Sequence, residues 1–297
     1  PDPPLWTMSL HMKTTLQRLC PVLLAALSAG TTLAQSAVES DDFNTTTIHP
    51  RWTFIDPVND VTVGLQGFGT DDAQLRFDLP AGQSHDLWGG NNLAPRLLQT
   101  VANTDLFLEA KFDSTVTERF QMQGILVQES MDAILRFEVY SAGGGDTRIF
   151  AARITPTAST AIVNIPVSAA LAPTHIRVQR IGDDWTMSTS TDGALFTVAV
   201  TFTQAMTVTQ VGVHAGNHHR SGETDPAFVA LVDYFFNANM PILNEDAPVD
   251  TEPPIADAGS PQTGHPGVTI HLDGSSSIDD WTAPQNLVFS WVILDKP

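Results

Sequence analysis

Residues 80–99 hold the side chains of this chain that are best suited to ligand binding. The segment is rich in Gly and Asn and contains six residues of types that often contact ligands: His85, Asp86, Trp88, Asn91, Asn92 and Arg96. It is too long for a hairpin turn, and long loops often carry binding residues. An exposed Trp can stack on a sugar ring while Asn and Asp bind its hydroxyls. We therefore predict a carbohydrate-binding loop; in the alternative, Trp88 plugs the end of the fold. Arg96 is expected to reach a substrate carboxylate or to pair with Asp86.

Polar side chains also alternate with apolar ones along residues 133–141. The apolar residues share one face of this segment, so Arg136, Glu138 and Tyr140 share the other. Similar alternation along two other segments singles out five more polar residues: Gln121, Gln123, His175, Arg177 and Gln179. If all three segments lie in one sheet, their amide, guanidinium and aromatic groups form a surface suited to sugars. The alternative is an ordinary solvated sheet face.

Residues 214–225 contain three histidines and look at first like a metal site. His218 and His219 are adjacent, so their side chains point apart on an extended backbone. His214 and His218 lie four residues apart, but residues 211–217 are predicted to form a strand, so this spacing does not place the two side chains on one helix face as in many zinc sites. We therefore predict a solvated loop here rather than a Zn²⁺ site.

The elements that must position these residues are β-strands. Period-two alternation recurs in five segments separated by Gly, Pro, Asn and Asp: AQLRFDL, LFLEAKFD, ILRFEVYS, HIRVQRI and FVALVDYFF. Trp185 and Met187 precede an Asp192-Gly193 turn in a pattern typical of a β-hairpin. The sequence therefore predicts an all-β fold with a large antiparallel sandwich.

Two of these segments carry a family resemblance. Residues 180–199 contain a Gly, Trp185 and a Ser-x-Asp-Gly turn, and a Val-Gly strand follows in residues 211–217. This order resembles the signature of the DUF1349 and β-xylosidase C-terminal group of concanavalin A-like (LamG-like) sandwiches, although Phe196 stands where Trp is expected. The resemblance covers residues 41–240. It implies a jelly-roll antiparallel β-sandwich in which residues 41–43 and 232–236 pair and so join the two ends of the domain.

The resemblance also implies a structural Ca²⁺, because such sandwiches often bind one through loop carboxylates. Three Asp residues lie on the strands that would close the fold: Asp41, Asp42 and Asp233. No other cofactor is expected.

Catalysis is less favoured than binding. Sandwich glucanases of this fold place their carboxylates at alternate positions of one strand, and no Glu-x-Asp-x-Glu run exists here. Glu129 and Glu138 are the best remaining pair, and no Gly-x-Ser-x-Gly elbow supports a nucleophilic Ser. We predict a non-catalytic polysaccharide-binding module. A glycan-cleaving hydrolase or lyase of the same fold is the first alternative, and a structural adhesin module is the second.

The N-terminal residues are typical of a secretory signal peptide. Residues 12–34 combine a basic start, an apolar stretch too short to span a bilayer and a small-residue cleavage site after Ala34. Residues 1–11 would be an upstream, non-native segment. The single cysteine, Cys20, lies inside this leader, so the mature chain is predicted to lack disulfides. We expect a secreted bacterial protein.

A second domain is predicted after a linker rich in Pro and acidic residues at 241–253. Residues 254–297 resemble the first half of an Ig-like PKD domain, with its opening Pro-x-Ala-x-Ala-Gly, its Leu-Asp-Gly-Ser-x-Ser turn and a core residue at Trp291. About twice as many residues are normal for such a domain. We therefore expect further C-terminal domains in a longer, multi-domain protein.

The chain is strongly acidic, with a formal net charge of −19 at pH 7. Such a surface repels the phosphates of nucleic acids and anionic membranes. We therefore expect a glycan partner, no nucleic acid and no membrane insertion.

Overall fold

The structure is a computed structural model that describes residues 37–70, 72–243 and 245. It also describes residues 6–7, 11–12, 254–264, 269–278, 287 and 289–292. Residues 32–249 form one compact unit, and residues 1–31 form another with 250–297. Apart from Met12, the predicted signal peptide lies outside the described residues, as does most of the linker.

The smaller unit contains short antiparallel pairs. Numbered in chain order, its strands are β1 (Trp6–Thr7), β2 (His11–Met12), β17 (Thr263–Gly264) and β18 (Trp291–Val292). Strand β1 pairs with β17, and β2 pairs with β18. Ile255 and Ile278 form an isolated bridge. These described pieces leave the PKD domain a prediction.

The larger unit is built from antiparallel strands, in agreement with the predicted all-β class. Its strands are β3 (Trp52–Ile55), β4 (Thr62–Gln66), β5 (Gln74–Leu79), β6 (Arg96–Thr100), β7 (Leu106–Phe112), β8 (Met122–Ser130), β9 (Ala133–Gly143), β10 (Asp146–Ile154), β11 (Ser159–Ser168), β12 (His175–Ile181), β13 (Asp184–Ser190), β14 (Thr197–Thr203), β15 (Gln210–Gly216) and β16 (Phe228–Asn237). The helical structure in this described region is a single 3₁₀ turn, Ala169–Leu171.

The strands form two sheets of seven. Sheet I has the order β11-β10-β9-β8-β15-β6-β3, and sheet II has the order β14-β13-β12-β7-β16-β5-β4. Alternating apolar residues from the two inner faces form the main core, in which Trp185 of sheet II stacks on Phe137 of sheet I with ring centroids 6.2 Å apart. The molecule is therefore an antiparallel β-sandwich, as predicted.

The predicted hairpin is present, with a longer loop than a two-residue turn. Strand β13 pairs with β14 in antiparallel register. Gly193 adopts a φ of 70°, and Asp192 accepts backbone N–H bonds from Ala194 and Leu195. Burial also follows the prediction, because Trp185 and Met187 are fully buried.

The two ends of the sandwich are joined at sheet II, as the resemblance implied. Asp41 exchanges both backbone hydrogen bonds with Phe235, at 2.8 and 2.9 Å. The Asp41 carboxylate accepts further bonds from the Phe43 N–H and from Trp52 Nε1. Asp41 therefore links the start of the domain to both sheets, to sheet II through its backbone and to sheet I through its buried carboxylate.

A smaller apolar cluster covers part of the outer face of sheet I. Leu87 and Ala94, from the segment between β5 and β6, pack there against Leu98, Leu126 and Ile134. The predicted binding loop therefore folds back over a sheet face, and the uncovered part of that face becomes available as a site. Within the described residues, no helix is long and apolar enough to cross a membrane.

Candidate functional site

A cavity of about 370 Å³ opens on the outer face of sheet I, beside the covering loop. Its floor comes from β8, β9, β10 and β11, and its walls come from three loops. We call it the sheet I pocket; its lining residues are Asp86, Trp88, Phe120, Met122, Arg136, Glu138, Tyr140, Phe150, Ala161, Asn164 and His218. Five of the sequence-predicted binding residues, Asp86, Trp88, Arg136, Glu138 and Tyr140, meet there.

Strand register assembles the pocket floor. On β9, Arg136, Glu138 and Tyr140 alternate outward while Phe137 faces the core. Antiparallel pairing places Phe150 of β10 directly opposite Glu138, and Asn164 of β11 opposite Phe150. The floor is therefore one cross-strand row of side chains on adjacent strands.

An ion cluster forms part of this floor. Arg136 donates from Nε to Glu138 Oε2 at 2.9 Å and from Nη2 to Glu138 Oε1. Its Nη1 donates to Asp86 Oδ1 at 3.3 Å. Arg136 is only 3% exposed, and Glu138 is fully buried. The two carboxylates therefore share one buried cation, which fixes the loop at Asp86 to the sheet.

Arg136 and Glu138 stabilise each other's charged forms although both side chains are buried. Burial is the largest single effect and opposes ionisation of Glu138, but the charges and hydrogen bonds of Arg136 and His214 together outweigh it and hold the pKa of Glu138 below its ordinary value. Burial likewise opposes the charge on Arg136, and Glu138 with Asp86 raises its pKa. Glu138 is therefore a poor proton donor at neutral pH.

His214 reaches the same cluster across a neighbouring strand. Gly124 of β8 pairs with His214 of β15 on one side and with Glu138 of β9 on the other. Because Gly124 has no side chain, His214 Nε2 lies 3.3 Å from Glu138 Oε2. Burial lowers the pKa of His214, although Glu138 acts in the opposite direction. Its Nδ1 has no hydrogen-bond partner among the described residues.

Aromatic rings form the walls of the pocket. Trp88 meets Phe150 edge to face at a centroid distance of 5.8 Å, and its side chain remains 37% exposed. Tyr140 meets Phe150 at 5.5 Å and Phe120 at 6.2 Å. These rings border the same space as the Asp86 carboxylate and the Asn164 amide. Such a combination accommodates a flat, partly apolar ligand that carries hydroxyl groups.

Two predicted ligand residues support this geometry without lining the pocket. His85 is fully buried. Its two ring nitrogens lie 2.7 Å from Asn217 Oδ1 and Asp60 Oδ1, so both are engaged within the protein. Gln121 accepts the N–H groups of Thr117 and Glu118. Both side chains hold loops whose neighbouring residues, Asp86 and Phe120, reach the pocket.

Four other predicted ligand residues also lie outside the lining. Arg96 is fully buried and donates to Asn92 Oδ1 at 2.7 Å, so it does not pair with Asp86. Asn91 is exposed. Gln123 faces the inner side of β8 and bonds Ser114. Asn91, Asn92 and Arg96, which the loop sequence predicts as ligand contacts, therefore do not line the pocket.

The expected single polar surface is divided between two sheets. Strands β8 and β9 belong to sheet I, whereas β12 with its polar residues His175, Arg177 and Gln179 belongs to sheet II. Arg177 pairs there with Glu109 at 2.5 Å. The polar residues of β12 are therefore not part of the sheet I face.

The carboxylates considered for catalysis are far apart. Gly124, not Glu129, faces Glu138 in the β8–β9 register, and Glu129 lies five residues further along β8. At the rise of a strand this corresponds to about 17 Å. Glycosidase carboxylates lie about 5 to 9.5 Å apart. Glu129 and Glu138 therefore cannot flank one glycosidic bond.

The three Asp residues considered for Ca²⁺ do not converge. Among the described residues, two groups place three metal-ligating side chains within 4.8 Å of one another, and neither contains Asp41 or Asp42. Asp233 instead joins Asp72 and Asp113. The Lys111 ammonium already lies among these carboxylates, 2.7 Å from Asp233 Oδ2 and 3.6 Å from Asp113 Oδ1. The chain itself therefore supplies a cation to that cluster.

Some lining residues were not anticipated from sequence, namely Phe120, Met122, Phe150, Ala161, Asn164 and His218. Phe150 and Asn164 reach the site through strand register, which alternation within one segment does not reveal. Phe120 adopts a φ of 60°, unusual for a non-Gly residue, and its N–H bonds the Ser141 carbonyl at 2.7 Å. That turn directs the ring toward the pocket.

Comparison with known proteins supports the fold. No protein-family model matches the chain, and no curated protein matches it. The GH43 BlXynB protein from Bacillus licheniformis matches with a TM-score of 0.51 at 16% identity, over 66% of this chain and 38% of that chain. A xylan β-1,4-xylosidase from Bacillus halodurans matches with a TM-score of 0.49 at 15% identity, over 68% and 39%. A functionally unknown protein from Saccharomyces cerevisiae matches with a TM-score of 0.48 at 11% identity, over 63% and 96%. The chain thus spans well under half the length of the GH43 protein, and the likeness concerns the sandwich.

Proposed function

We propose that the sheet I pocket binds a carbohydrate chain without cleaving it. One observation carries the proposal: a cavity of about 370 Å³ places four aromatic rings beside a carboxylate and an amide. Aromatic faces stack on the apolar side of a sugar ring, and acceptor and donor groups bind its hydroxyls. The likeness to a GH43 protein concerns the fold, so the ligand class rests on the pocket.

Two contacts supply the polar part of this recognition. Asp86 Oδ1 is occupied by the Leu87 N–H and Arg136, which leaves Oδ2 to accept a bond from a ligand hydroxyl. Asn164 lies across Phe150 from Glu138 in the strand register. The hydrogen bonds between its side-chain amide and the Tyr140 hydroxyl are long, at 3.2 and 3.4 Å. Its amide is therefore able to turn toward a ligand.

The state of the carboxylates supports binding over hydrolysis. A general acid must carry a proton at the working pH, and its pKa is therefore usually raised. Glu138 instead has a pKa below its ordinary value, and it accepts hydrogen bonds from Nε and Nη2 of Arg136. Its place in the floor is consistent with fixing the pocket's shape.

A retention assay on insoluble neutral polysaccharides, combined with a reducing-end assay, tests the proposal. We expect the chain to be retained and no reducing ends to be released. Asn164→Ala should weaken retention, whereas Asn91→Ala, an exposed Asn outside the lining, should not. Absence of retention on every polysaccharide would overturn binding, and release of reducing ends that Glu138→Gln abolishes would make the protein an enzyme.

A further inference from the structure

Three potential metal ligands converge at one edge of the sheet I pocket. His218, His219 and Asp225 each offer one ligand atom, and these atoms all lie within 4.8 Å of one another. His218 also lines the pocket. Nothing in the proposed carbohydrate site requires this second cluster.

The positions of the His218 and His219 rings differ from the sequence prediction. Adjacent histidines were expected to point apart on an extended chain, but β15 ends at Gly216, before this pair. The backbone then turns, and the two rings lie side by side with centroids 5.1 Å apart. His219 Nδ1 lies 2.7 Å from Asp225 Oδ1, and His218 Nδ1 lies 3.8 Å from the same oxygen.

The carboxylate of this cluster is held in place before any ion binds. Asp225 is 5% exposed, and its carbonyl accepts the Gly82 N–H at 2.9 Å. Asn217 donates to the neighbouring Pro226 carbonyl at 2.6 Å and to the Pro80 carbonyl at 3.0 Å. The loop is therefore fixed at both ends, which lowers the entropic cost of forming a metal site.

We propose that His218, His219 and Asp225 form a Zn²⁺ site. Tetrahedral bonds of about 2.0 to 2.2 Å to N and O ligands require donor atoms roughly 3.4 Å apart. The observed separations from Asp225 Oδ1, 2.7 Å to His219 Nδ1 and 3.8 Å to His218 Nδ1, lie on either side of that value, so both contacts need shifts of under about 1 Å to reach it. Zn²⁺ would replace the proton between His219 and Asp225.

The ligand set and charge favour this metal class. Two neutral imidazoles and one carboxylate suit Zn²⁺, whereas Ca²⁺ prefers six to eight oxygen ligands. Three protein ligands leave a fourth position open, as in catalytic rather than structural zinc sites. Ser84 Oγ lies 2.9 Å from His218 Nδ1, so Zn²⁺ binding through this nitrogen would replace that hydrogen bond.

The second three-residue cluster provides a contrast. Asp72, Asp113 and Asp233 are all carboxylates, and the Lys111 ammonium already lies against two of them. In the cluster at His218, the ion pairs of the described residues involve only the two imidazoles and Asp225. The charge of a divalent ion is therefore unopposed by a permanent cation at that point.

Zn²⁺ titration of the chelator-treated full chain tests the proposal. We expect one Zn²⁺ whose affinity falls at least tenfold in His219→Ala and in Asp225→Asn, because even outer partners of metal ligands cost about 10- to 100-fold. His49→Ala is the matched control, since His49 is exposed and its imidazole accepts hydrogen bonds from Arg51, away from the cluster. Its affinity should equal that of the wild type.

A second readout identifies the ligands directly. Co²⁺ in place of Zn²⁺ should give the visible absorption of tetrahedral N/O coordination in the wild type and lose it in His219→Ala. Far-UV circular dichroism confirms that each variant is folded, and His219 is partly exposed, so its loss should leave the sandwich intact. A folded His219→Ala variant that binds Zn²⁺ as tightly as the wild type would overturn the proposal.

Discussion

At the scale of single residues, Arg136 is the centre of the pocket's charge. Alternation along β9 predicts that Arg136, Glu138 and Tyr140 share a face, and the structure places them so. The sequence could not show that this face is covered by Asp86 and Leu87, because the contact spans 50 residues. The outward face is therefore buried around Arg136, and its charges stabilise one another instead of facing water.

Arg136→Met should destabilise the fold strongly. The substitution keeps the volume but leaves two carboxylates without their cation, which typically costs about 3 to 5 kcal/mol. Arg148→Met is the control, because Arg148 also pairs with an acid two residues away, Asp146, but is 28% exposed. That change should cost at most about 1 kcal/mol in denaturant unfolding. Equal losses in the two variants would contradict the buried ion cluster.

His214 should make stability depend on pH. Burial lowers its pKa in the folded chain, so near and below the ordinary value of about 6.5 the unfolded chain binds more protons. Stability is therefore present above that pH and lost as the pH falls, by up to about 1.4 kcal/mol per unit for one proton. His175, whose pKa is lowered chiefly by burial, acts in the same direction.

His214→Gln should consequently reduce the slope of the unfolding free energy against pH between about 7 and 5. Urea unfolding at several pH values measures this slope, and His49→Gln provides an exposed control. An unchanged slope in His214→Gln would show that His214 does not titrate differently in the folded chain.

At the scale of elements, the strands were largely predictable and their pairing was not. All five alternating segments form strands, and Trp185 and Met187 enter the core as their period required. Alternation within a segment does not specify which strands are neighbours. For this reason the sequence leaves open whether β12 shares a sheet with β9, and the structure places it in the other sheet; the sequence likewise does not indicate Phe150 in the site.

The loop at 80–95 shows a second limit of sequence reasoning. The polar residue types that bind ligands also stabilise loops through internal hydrogen bonds, and the sequence alone does not distinguish these two roles. His85 bonds Asn217 and Asp60 internally, whereas its neighbour Asp86 reaches the pocket. The partners that decide between these uses come from distant segments.

Gly124→Ala should disturb the sheet where His214 meets Glu138. A Cβ at Gly124 would lie 2.1 Å from the Phe137 carbonyl and 2.6 Å from Glu138 Cβ, so the strands would have to separate. We expect a loss of about 1 to 3 kcal/mol. Gly64→Ala in β4 has no atom within 4 Å of its new Cβ and should change the unfolding free energy little. Comparable chemical denaturation of both variants would contradict the close packing over Gly124.

At the scale of the whole molecule, charge should select among glycans. The chain carries a formal net charge of −19, and the pocket holds two carboxylates against one guanidinium. Neutral oligosaccharides should therefore bind more tightly than uronate-rich ones of equal length, and added salt should reduce the difference. Tighter binding of the polyuronate at low salt, measured by calorimetry, would contradict this charge argument.

The central claim is that the sheet I pocket binds carbohydrate, and Trp88 tests it most directly. Its ring is 37% exposed and borders the pocket edge to face with Phe150. Calorimetric titration with the oligosaccharide of the retained polysaccharide should show that Trp88→Ala weakens binding by about 1 to 3 kcal/mol, with thermal stability nearly unchanged. Phe68→Ala, an exposed aromatic outside the lining, should bind like the wild type. Unchanged affinity in Trp88→Ala, or a large loss of stability alone, would contradict the account.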